Sequence, residues 1–296
     1  MIIGGIGIGA FIGVSVVDGY TNAMTREQTL ANRENFREEF ENFKKFYNME
    51  EIQISSSEYY HQIPALHVRE GNNENITVMV HGMGGTKETV ISTVPIFLDL
   101  GYDVIAIDQR NSGDNMADLN TFGIFESYDI LDAVNYARNI VGKDNKLILW
   151  GESYGGASAA MALGRDESNI DYLILDCPVS DGKEFLEDIL GEFEREQGIP
   201  TSYMMLTADI ASRIKLGFSL DDTNAANWLK DTNTPTLIFN SKVDTVTPEH
   251  MGIDLYNSIP HDKKELVTSE TSPHVMIREE ERSLYENSIR EFLDKY

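Results

Sequence analysis

The sequence feature that most constrains the fold is the run KLILWGESYGG at residues 146–156. Four apolar residues, 147–150, predict a buried strand, and the small residues at 157–163 predict a helix that packs close to it. Between them lies a G-x-S-x-G motif at residues 151–155. A strand, a sharp turn and a helix are the setting in which this motif exposes a serine hydroxyl. We therefore predict that Ser153 is a nucleophile.

Around this motif, apolar runs alternate with helical patterns along most of the chain. Such alternation predicts an α/β fold, with a mostly parallel central sheet and helices on both faces. The first two runs predict an antiparallel hairpin at the start of the sheet. The predicted strands are 52–54, 59–68, 76–80, 104–107, 147–150, 172–175, 236–239 and 265–268, and the predicted helices are 86–100, 124–141, 153–163, 248–258 and 279–295.

Residues 181–222 interrupt the alternation because they contain no strand pattern. Apolar residues at helical spacing instead predict two amphipathic helices. An insertion that follows a strand lies at the carboxyl edge of a parallel sheet, where substrates bind. We interpret it as a cap over the site, with an ordinary packed helix pair as the alternative.

The N-terminal residues 1–17 carry no charged side chain, and Gly5, Gly9 and Gly13 recur every four residues. This glycine spacing lets membrane helices approach closely. Three interpretations compete: a membrane anchor, a cleaved signal segment and a buried element of the protein. We favour an anchor over residues 1–24, because leaving so many aliphatic side chains in water is costly. This predicts membrane attachment through residues 1–17 at the surface of a bacterial cell, with a cytoplasmic location as the alternative.

The residues after this segment predict a single linker helix. Thr25 to Gln28 form a capping-box pattern, and Phe36, Phe40 and Phe43 continue an apolar stripe. The predicted division is therefore an N-terminal segment, 1–24, a linker helix, 25–50, and a main domain, 51–296.

A nucleophilic serine needs a base to accept its proton and an acid to orient that base. His274 follows the last predicted strand, and Asp244 follows the strand at 236–239. The chain order Ser, Asp, His agrees with the order in which such residues follow a G-x-S-x-G turn. We predict His274 as the base and Asp244 as the acid, with Asp176 and His250 as the alternatives.

The developing oxyanion needs backbone N–H donors that are already in position. The loop HGMGG at residues 81–85 follows the strand at 76–80. Its glycines allow the backbone to approach a substrate closely. We predict the N–H groups of Met83 and Tyr154 as the two donors of an oxyanion hole.

Together these motifs resemble the α/β-hydrolase superfamily, and more narrowly its bacterial esterase and serine aminopeptidase-like branch. The resemblance covers residues 52–296 and includes residues 81–85, 108–113, 151–155, 242–244 and 272–274. It implies a serine hydrolase that cleaves a carboxylic ester through an acyl-enzyme, without a metal or organic cofactor. A peptidase or thioesterase of the same fold is one alternative, and a membrane-tethered binding module without catalysis is another. Asn111 departs from the D-x-R-G-x-G pattern of the family.

Charge and cysteine content exclude several other classes of protein. The chain has 49 acidic and 24 basic residues, a net charge of −25. Nucleic acid is excluded as a partner, because binding its phosphates needs a basic surface. A single cysteine, Cys177, permits neither an intramolecular disulfide nor a cysteine-based metal site. The resemblance implies a small-molecule or peptide acyl substrate as the partner.

Overall fold

The computed structural model describes the backbone of residues 2–296 and the side chains of residues 7–296. Within these residues, eight strands form one sheet. The strands are β1 (Asn48–Ser55), β2 (Gln62–Arg69), β3 (Asn75–Val80), β4 (Tyr102–Ile107), β5 (Leu147–Glu152), β6 (Tyr172–Asp176), β7 (Thr236–Ser241) and β8 (Lys264–Ser269).

The strand order is β1-β2-β4-β3-β5-β6-β7-β8. Strand β2 pairs antiparallel with both β1 and β4, and the remaining neighbours pair parallel. The predicted hairpin and the predicted, mostly parallel sheet are therefore confirmed. The order reverses at β3, which has β4 on one side and β5 on the other. A crevice forms at such a point, at the carboxyl ends of the strands.

Helices cover both faces of this sheet, and short 3₁₀ segments lie at Glu34–Phe36 and Leu220–Thr223. The helices within the described residues are α1 (Ile2–Thr21), α2 (Arg26–Arg33), α3 (Arg37–Phe43), α4 (Val94–Asp99), α5 (Glu126–Val141), α6 (Ser153–Arg165), α7 (Gly182–Gln197), α8 (Thr201–Lys215), α9 (Ala225–Trp228), α10 (Glu249–Ser258), α11 (Ile277–Glu280) and α12 (Arg282–Lys295).

Alternate residues of each central strand enter two separate hydrophobic cores. Val78 and Leu149 join the core that α5, α6 and α10 cover. Met79 and Trp150 join the core on the other face, beneath α4 and α12. Burial on both faces explains why these strands are continuous apolar runs in the sequence. It also holds the strands rigidly, so that their carboxyl ends fix the loops that follow.

Two predicted helices differ from those observed. The helix predicted over 86–100 is limited to α4, because residues 87–93 form turns. The Nζ of Lys87 reaches the Oδ2 of Asp108 at 2.8 Å, and both side chains are buried. The single helix predicted over 25–50 is divided into α2, the 3₁₀ segment and α3, and strand β1 begins already at Asn48.

Helix α1 packs along α8, and two of its regularly spaced glycines, Gly9 and Gly13, lie at this contact. A Cβ atom at Gly13 would lie 2.2 Å from the carbonyl oxygen of Thr207, and one at Gly9 would lie 2.9 Å from the hydroxyl of Tyr203. Val17 and Tyr20 are 2% and 5% exposed. One face of the described part of α1 is therefore buried against the protein, as in the buried-element interpretation, and the structure gives no support to the favoured anchor.

Part of that anchor prediction lies outside the described residues, namely residue 1 and the side chains of 2–6, Gly5 included. Among the helices that the structure does describe, none has the length and apolarity required to cross a membrane.

Candidate active site

The G-x-S-x-G motif forms a tight turn between β5 and α6. Ser153 has a φ of 52°, a left-handed conformation that is strained for a residue with a side chain. A Cβ atom at Gly155 would lie 2.4 Å from the carbonyl oxygens of Val80 and His81. One at Gly151 would lie 2.4 Å from the carbonyl oxygen of Gly155. Both positions therefore require glycine, and the turn holds the serine hydroxyl at the carboxyl edge of the sheet.

Three of the predicted site residues lie together at this edge. The Oγ of Ser153 lies 2.9 Å from the Nε2 of His274. The Nδ1 of the same ring lies 2.6 Å from the Oδ2 of Asp244. These distances fit a ring that donates from Nδ1 to the carboxylate and accepts at Nε2 from the serine hydroxyl. The serine oxygen is then positioned to lose its proton to the imidazole.

Asp244 is held in its ionised form by several donors. Its Oδ1 accepts from the N–H groups of Val246 and Thr247, at 2.8 and 2.9 Å. Burial works to raise the pKa of this carboxyl, but the bonds from His274 and the two amides outweigh burial, and the pKa is lowered. Asp244 therefore carries a negative charge beside the imidazole.

Thr247 is a site residue that the sequence analysis did not identify. Its Oγ1 lies 2.8 Å from the Oδ2 of Asp244, 3.1 Å from the Nδ1 of His274 and 3.0 Å from the carbonyl oxygen of Cys177. The available signal was a threonine three residues after the aspartate, a spacing typical of a turn closed by a carboxylate. Thr247 fixes the carboxylate against the ring.

The HGMGG loop lies directly beside the serine. A Cβ atom at Gly82 would lie 3.4 Å from the Cβ of Ser153. The Gly82 N–H donates to the Oε1 of Glu152 at 3.1 Å, which fixes the next peptide, that of Met83. Tyr154 lies in the first turn of α6, where N–H groups have no acceptor within the helix. Both predicted oxyanion donors therefore lie on backbone segments that adjoin Ser153.

His81 holds this loop in place. Its Nδ1 lies 2.7 Å from the carbonyl oxygen of Gly82, and its Nε2 accepts from the Gln109 N–H at 3.1 Å. Burial lowers the pKa of the ring, so it is neutral and serves as donor at one nitrogen and acceptor at the other. It links the loops that follow β3 and β4.

The two alternative residues lie in other contacts. The Oδ2 of Asp176 lies 3.1 Å from Arg278, whose guanidinium also lies 2.6 Å from the Oε2 of Glu152. Burial raises the pKa of Asp176, and Arg278 offsets this only in part. The Nε2 of His250 lies 2.8 Å from Glu184. Within the described residues, neither residue is hydrogen-bonded to Ser153 or His274.

One group of possible metal ligands lies close together among the described residues. Ligand atoms of Cys177, Asp244 and His274 lie within 4.8 Å of one another. Metal binding would need the thiolate, but burial raises the pKa of the Cys177 thiol. The other two residues are already bonded to each other and to Ser153. This group is therefore better suited to proton transfer than to holding a metal.

Comparisons with known proteins agree with this architecture. A family model described as "alpha/beta hydrolase fold" matches residues 77–197. Uncharacterized protein YqkD of Bacillus subtilis (strain 168) is 25% identical over 254 residues, which are 85% of this chain and 82% of that protein. Putative methylesterase 12, chloroplastic, of Arabidopsis thaliana is 32% identical over 123 residues, 40% of this chain and 35% of that protein.

Solved structures share the fold at low sequence identity. The Pyrococcus furiosus esterase Pf2001 superposes with a TM-score of 0.67 at 17% identity and covers 86% of this chain and 95% of its own. The esterase EaEST from Exiguobacterium antarcticum gives a TM-score of 0.59 at 19% identity, over 82% of this chain and 99% of its own. Together, the family match, the sheet topology and these structures show that the chain has the α/β-hydrolase fold, which supports its assignment to that superfamily and a hydrolase activity.

Proposed function

We propose that this protein is a serine hydrolase that cleaves a carboxylic ester through an acyl-enzyme. The observation that carries the proposal is the pair of distances from His274, 2.9 Å to the Ser153 Oγ and 2.6 Å to the Asp244 Oδ2. An activated nucleophile, a base and an orienting acid in this relation are the recognised geometry of such hydrolases.

In the first half-reaction, Ser153 Oγ attacks the acyl carbon while His274 Nε2 accepts the hydroxyl proton. The negative charge of Asp244 stabilises the imidazolium that forms. The N–H groups of Met83 and Tyr154 donate to the oxyanion of the tetrahedral intermediate. As the intermediate collapses, His274 passes its proton to the leaving alcohol, and the acyl group remains on Ser153.

In the second half-reaction, water attacks the acyl-enzyme and loses a proton to His274. The tetrahedral intermediate collapses, the proton returns to Ser153, and the carboxylic acid leaves. The same base and the same oxyanion donors therefore serve both halves of the reaction.

Esters are the first substrate class to test, because two superposed structures are described as esterases and a sequence relative as a putative methylesterase. The leaving group is then an alcohol, whose departure needs less acid assistance than that of an amine. Thioesters and amides are tested with the same assay by changing only the leaving atom.

A fluorophosphonate probe tests the proposal directly, because it forms a covalent bond with an activated serine. We expect the wild type to be labelled, and Ser153→Ala to lose both labelling and p-nitrophenyl ester hydrolysis, by roughly 10⁴- to 10⁶-fold in rate. Ser168→Ala, which changes an exposed serine, is the matched control and should behave as the wild type. A folded wild type that neither reacts with the probe nor hydrolyses esters would contradict the proposal.

A further inference from the structure

An apolar cavity of about 570 Å³ lies between α1 and α7. Among its described lining residues, Ser15 and Tyr20 alone have polar side-chain atoms, and none carries a charge. Its size falls within the range of roughly 300 to 1,000 Å³ that small-molecule sites occupy. A charged or strongly polar ligand would lose its hydration here without gaining partners. The lining therefore fits an aliphatic ligand.

The lining of the cavity contacts Tyr154, the residue that follows the nucleophile. Phe122 lines the cavity, and its ring meets the ring of Tyr154 edge-on at 5.4 Å between centroids. The Phe122 N–H also donates to the Tyr154 hydroxyl at 3.2 Å. The side chain of Met83 packs against the hydrophobic cluster that contains Phe122 and Tyr154. Tyr154, which supplies one proposed oxyanion donor, thus contacts the wall of the cavity, and Met83, which supplies the other, packs against the cluster that forms this wall.

The rim of the cavity is apolar and open to solvent. Phe11 on α1 is 72% exposed, and Ile189 and Phe193 on α7 are 51% and 45% exposed. Apolar side chains at the mouth favour entry of a hydrocarbon chain from water. Away from this rim, Tyr20 stacks on Phe122 at 4.2 Å, and both rings line the cavity.

We propose that this cavity binds the aliphatic acyl chain of the ester substrate and that α1 supplies one of its walls. The catalytic consequence rests on the proposed ester hydrolysis, but chain binding does not. The N-terminal helix is then a part of the substrate site, and its apolar sequence serves the ligand as well as the fold. Each methylene that enters the cavity should raise kcat/KM by about fourfold, until the cavity is full.

Gly19 offers a way to fill the cavity without disturbing its walls. It lies on α1 in the cavity lining, and a Cβ atom there would meet nothing within 4 Å. Gly7 is the matched control, because it lies on the same helix, has the same open surroundings and is absent from the lining. Gly19→Leu places a side chain into the acyl space, whereas Gly7→Leu places the same side chain into solvent.

The first measurement is the ratio of kcat/KM for p-nitrophenyl dodecanoate to that for p-nitrophenyl acetate. We expect Gly19→Leu to lower this ratio at least tenfold, because it removes room for about two methylenes. Gly7→Leu should keep the wild-type ratio. Phe193→Asp, on the opposite wall, should also lower the ratio, and Ile214→Asp, on an 81% exposed residue outside the lining, should not. An unchanged ratio in both Gly19→Leu and Phe193→Asp would overturn the proposal.

The second measurement needs no catalysis. Dodecanoate is titrated into Ser153→Ala by calorimetry, and then into Ser153→Ala combined with Gly19→Leu or with Gly7→Leu. We expect binding to Ser153→Ala, a loss of at least tenfold in affinity with Gly19→Leu, and no loss with Gly7→Leu. If dodecanoate binds in this pattern but no ester is hydrolysed by the wild type, the chain site stands and the hydrolase proposal fails. If esters are hydrolysed but dodecanoate does not bind, the chain site fails alone.

Discussion

The carboxyl edge of the sheet and the layer formed by α1, α7 and α8 lie next to each other but are held by different forces. At the edge, Ser153, Asp244 and His274 are fixed by hydrogen bonds of 2.6 to 2.9 Å, and the Asp244 side chain is fully buried. In the helical layer the contacts are mainly apolar, with an ion pair between Lys215 on α8 and Asp18 on α1, and Ile189 and Ile214 remain 51% and 81% exposed.

Hydrogen bonds depend on direction and distance, whereas apolar contacts depend mainly on the area removed from water. A change at the carboxyl edge should therefore lower the reaction rate and have little effect on the free energy of unfolding. A change in the helical layer should lower the free energy of unfolding or the selectivity for acyl-chain length, and it should leave the rate of the chemical step unchanged. Variants in each of the two regions test this division.

The largest effect is expected for Asp244→Asn. The amide cannot hold the His274 tautomer that accepts from Ser153, so kcat should fall roughly 10³- to 10⁴-fold with little change in KM. Asp176→Asn is the control, because it removes a carboxylate of similar burial that binds Arg278 and not the imidazole. We expect it to lower the free energy of unfolding by about 1 to 3 kcal/mol and the rate by less than tenfold. Steady-state kinetics and urea unfolding measure both; the reverse pattern would make Asp176 the acid.

The position of the edge residues could be predicted because local rules determine them. Parallel strands end at one edge, and the chain order of Ser153, Asp244 and His274 left few alternatives. Asn111 shows how far such rules extend: it replaces a family glycine and has a φ of 52°, a conformation that asparagine adopts more readily than most residues. The contacts of Thr247 with His274 and of Glu152 with Gly82 could not be predicted, because they join segments that meet only after folding.

The helical layer could be predicted only in part, for a physical reason. Apolar sequence indicates that a segment is removed from water, but it does not identify what covers it. The glycine spacing in α1 indicates a close helix–helix contact and favours a membrane partner, whereas in the structure Thr207 on α8 provides that contact. The spacing of residues in a sequence indicates which face of a helix makes a close contact, but it does not identify the element that this face contacts.

The second effect is the loss of residues 1–24. We expect the shortened chain to lose about 3 to 6 kcal/mol of unfolding free energy, because Val17 and Tyr20 no longer cover the cluster beneath them. Thermal unfolding of the two chain lengths measures the loss. Val17→Ala should reproduce about 1 to 3 kcal/mol of it, whereas Val14→Ala, at a 42% exposed position, should cost little. A shortened chain as stable as the full chain would show that α1 is energetically independent.

The third effect tests the closeness of α1 to α8. Gly13→Ala forces a methyl group toward the Thr207 carbonyl, where the space is 2.2 Å, so α1 must move outward. We expect a cost of about 1 to 3 kcal/mol in unfolding free energy. Gly7→Ala adds the same methyl group to open space and should be neutral or slightly stabilising. Equal stability of the two variants in urea unfolding would contradict the tight contact.

The last effect arises outside both regions and must be subtracted before a loss of stability at low pH is assigned to the carboxyl edge of the sheet. Burial, together with the neighbouring Arg69, lowers the pKa of His67 in β2 from 6.5 to about 4, against a smaller opposing influence of Glu50. Between these two values the unfolded chain binds a proton that the folded chain does not. His67 therefore does not reduce the free energy of unfolding above about pH 6.5. It lowers that free energy as the pH falls toward 4, and it causes no further change below that pH.

We expect His67→Gln to flatten the profile of unfolding free energy against pH between these two values, and Arg69→Gln to reduce its slope. Urea unfolding from pH 7 to pH 4 measures both. If the free energy of unfolding falls as steeply with pH in His67→Gln as in the wild type, other groups cause the pH dependence. The carboxylates at the carboxyl edge of the sheet are then the first to be tested.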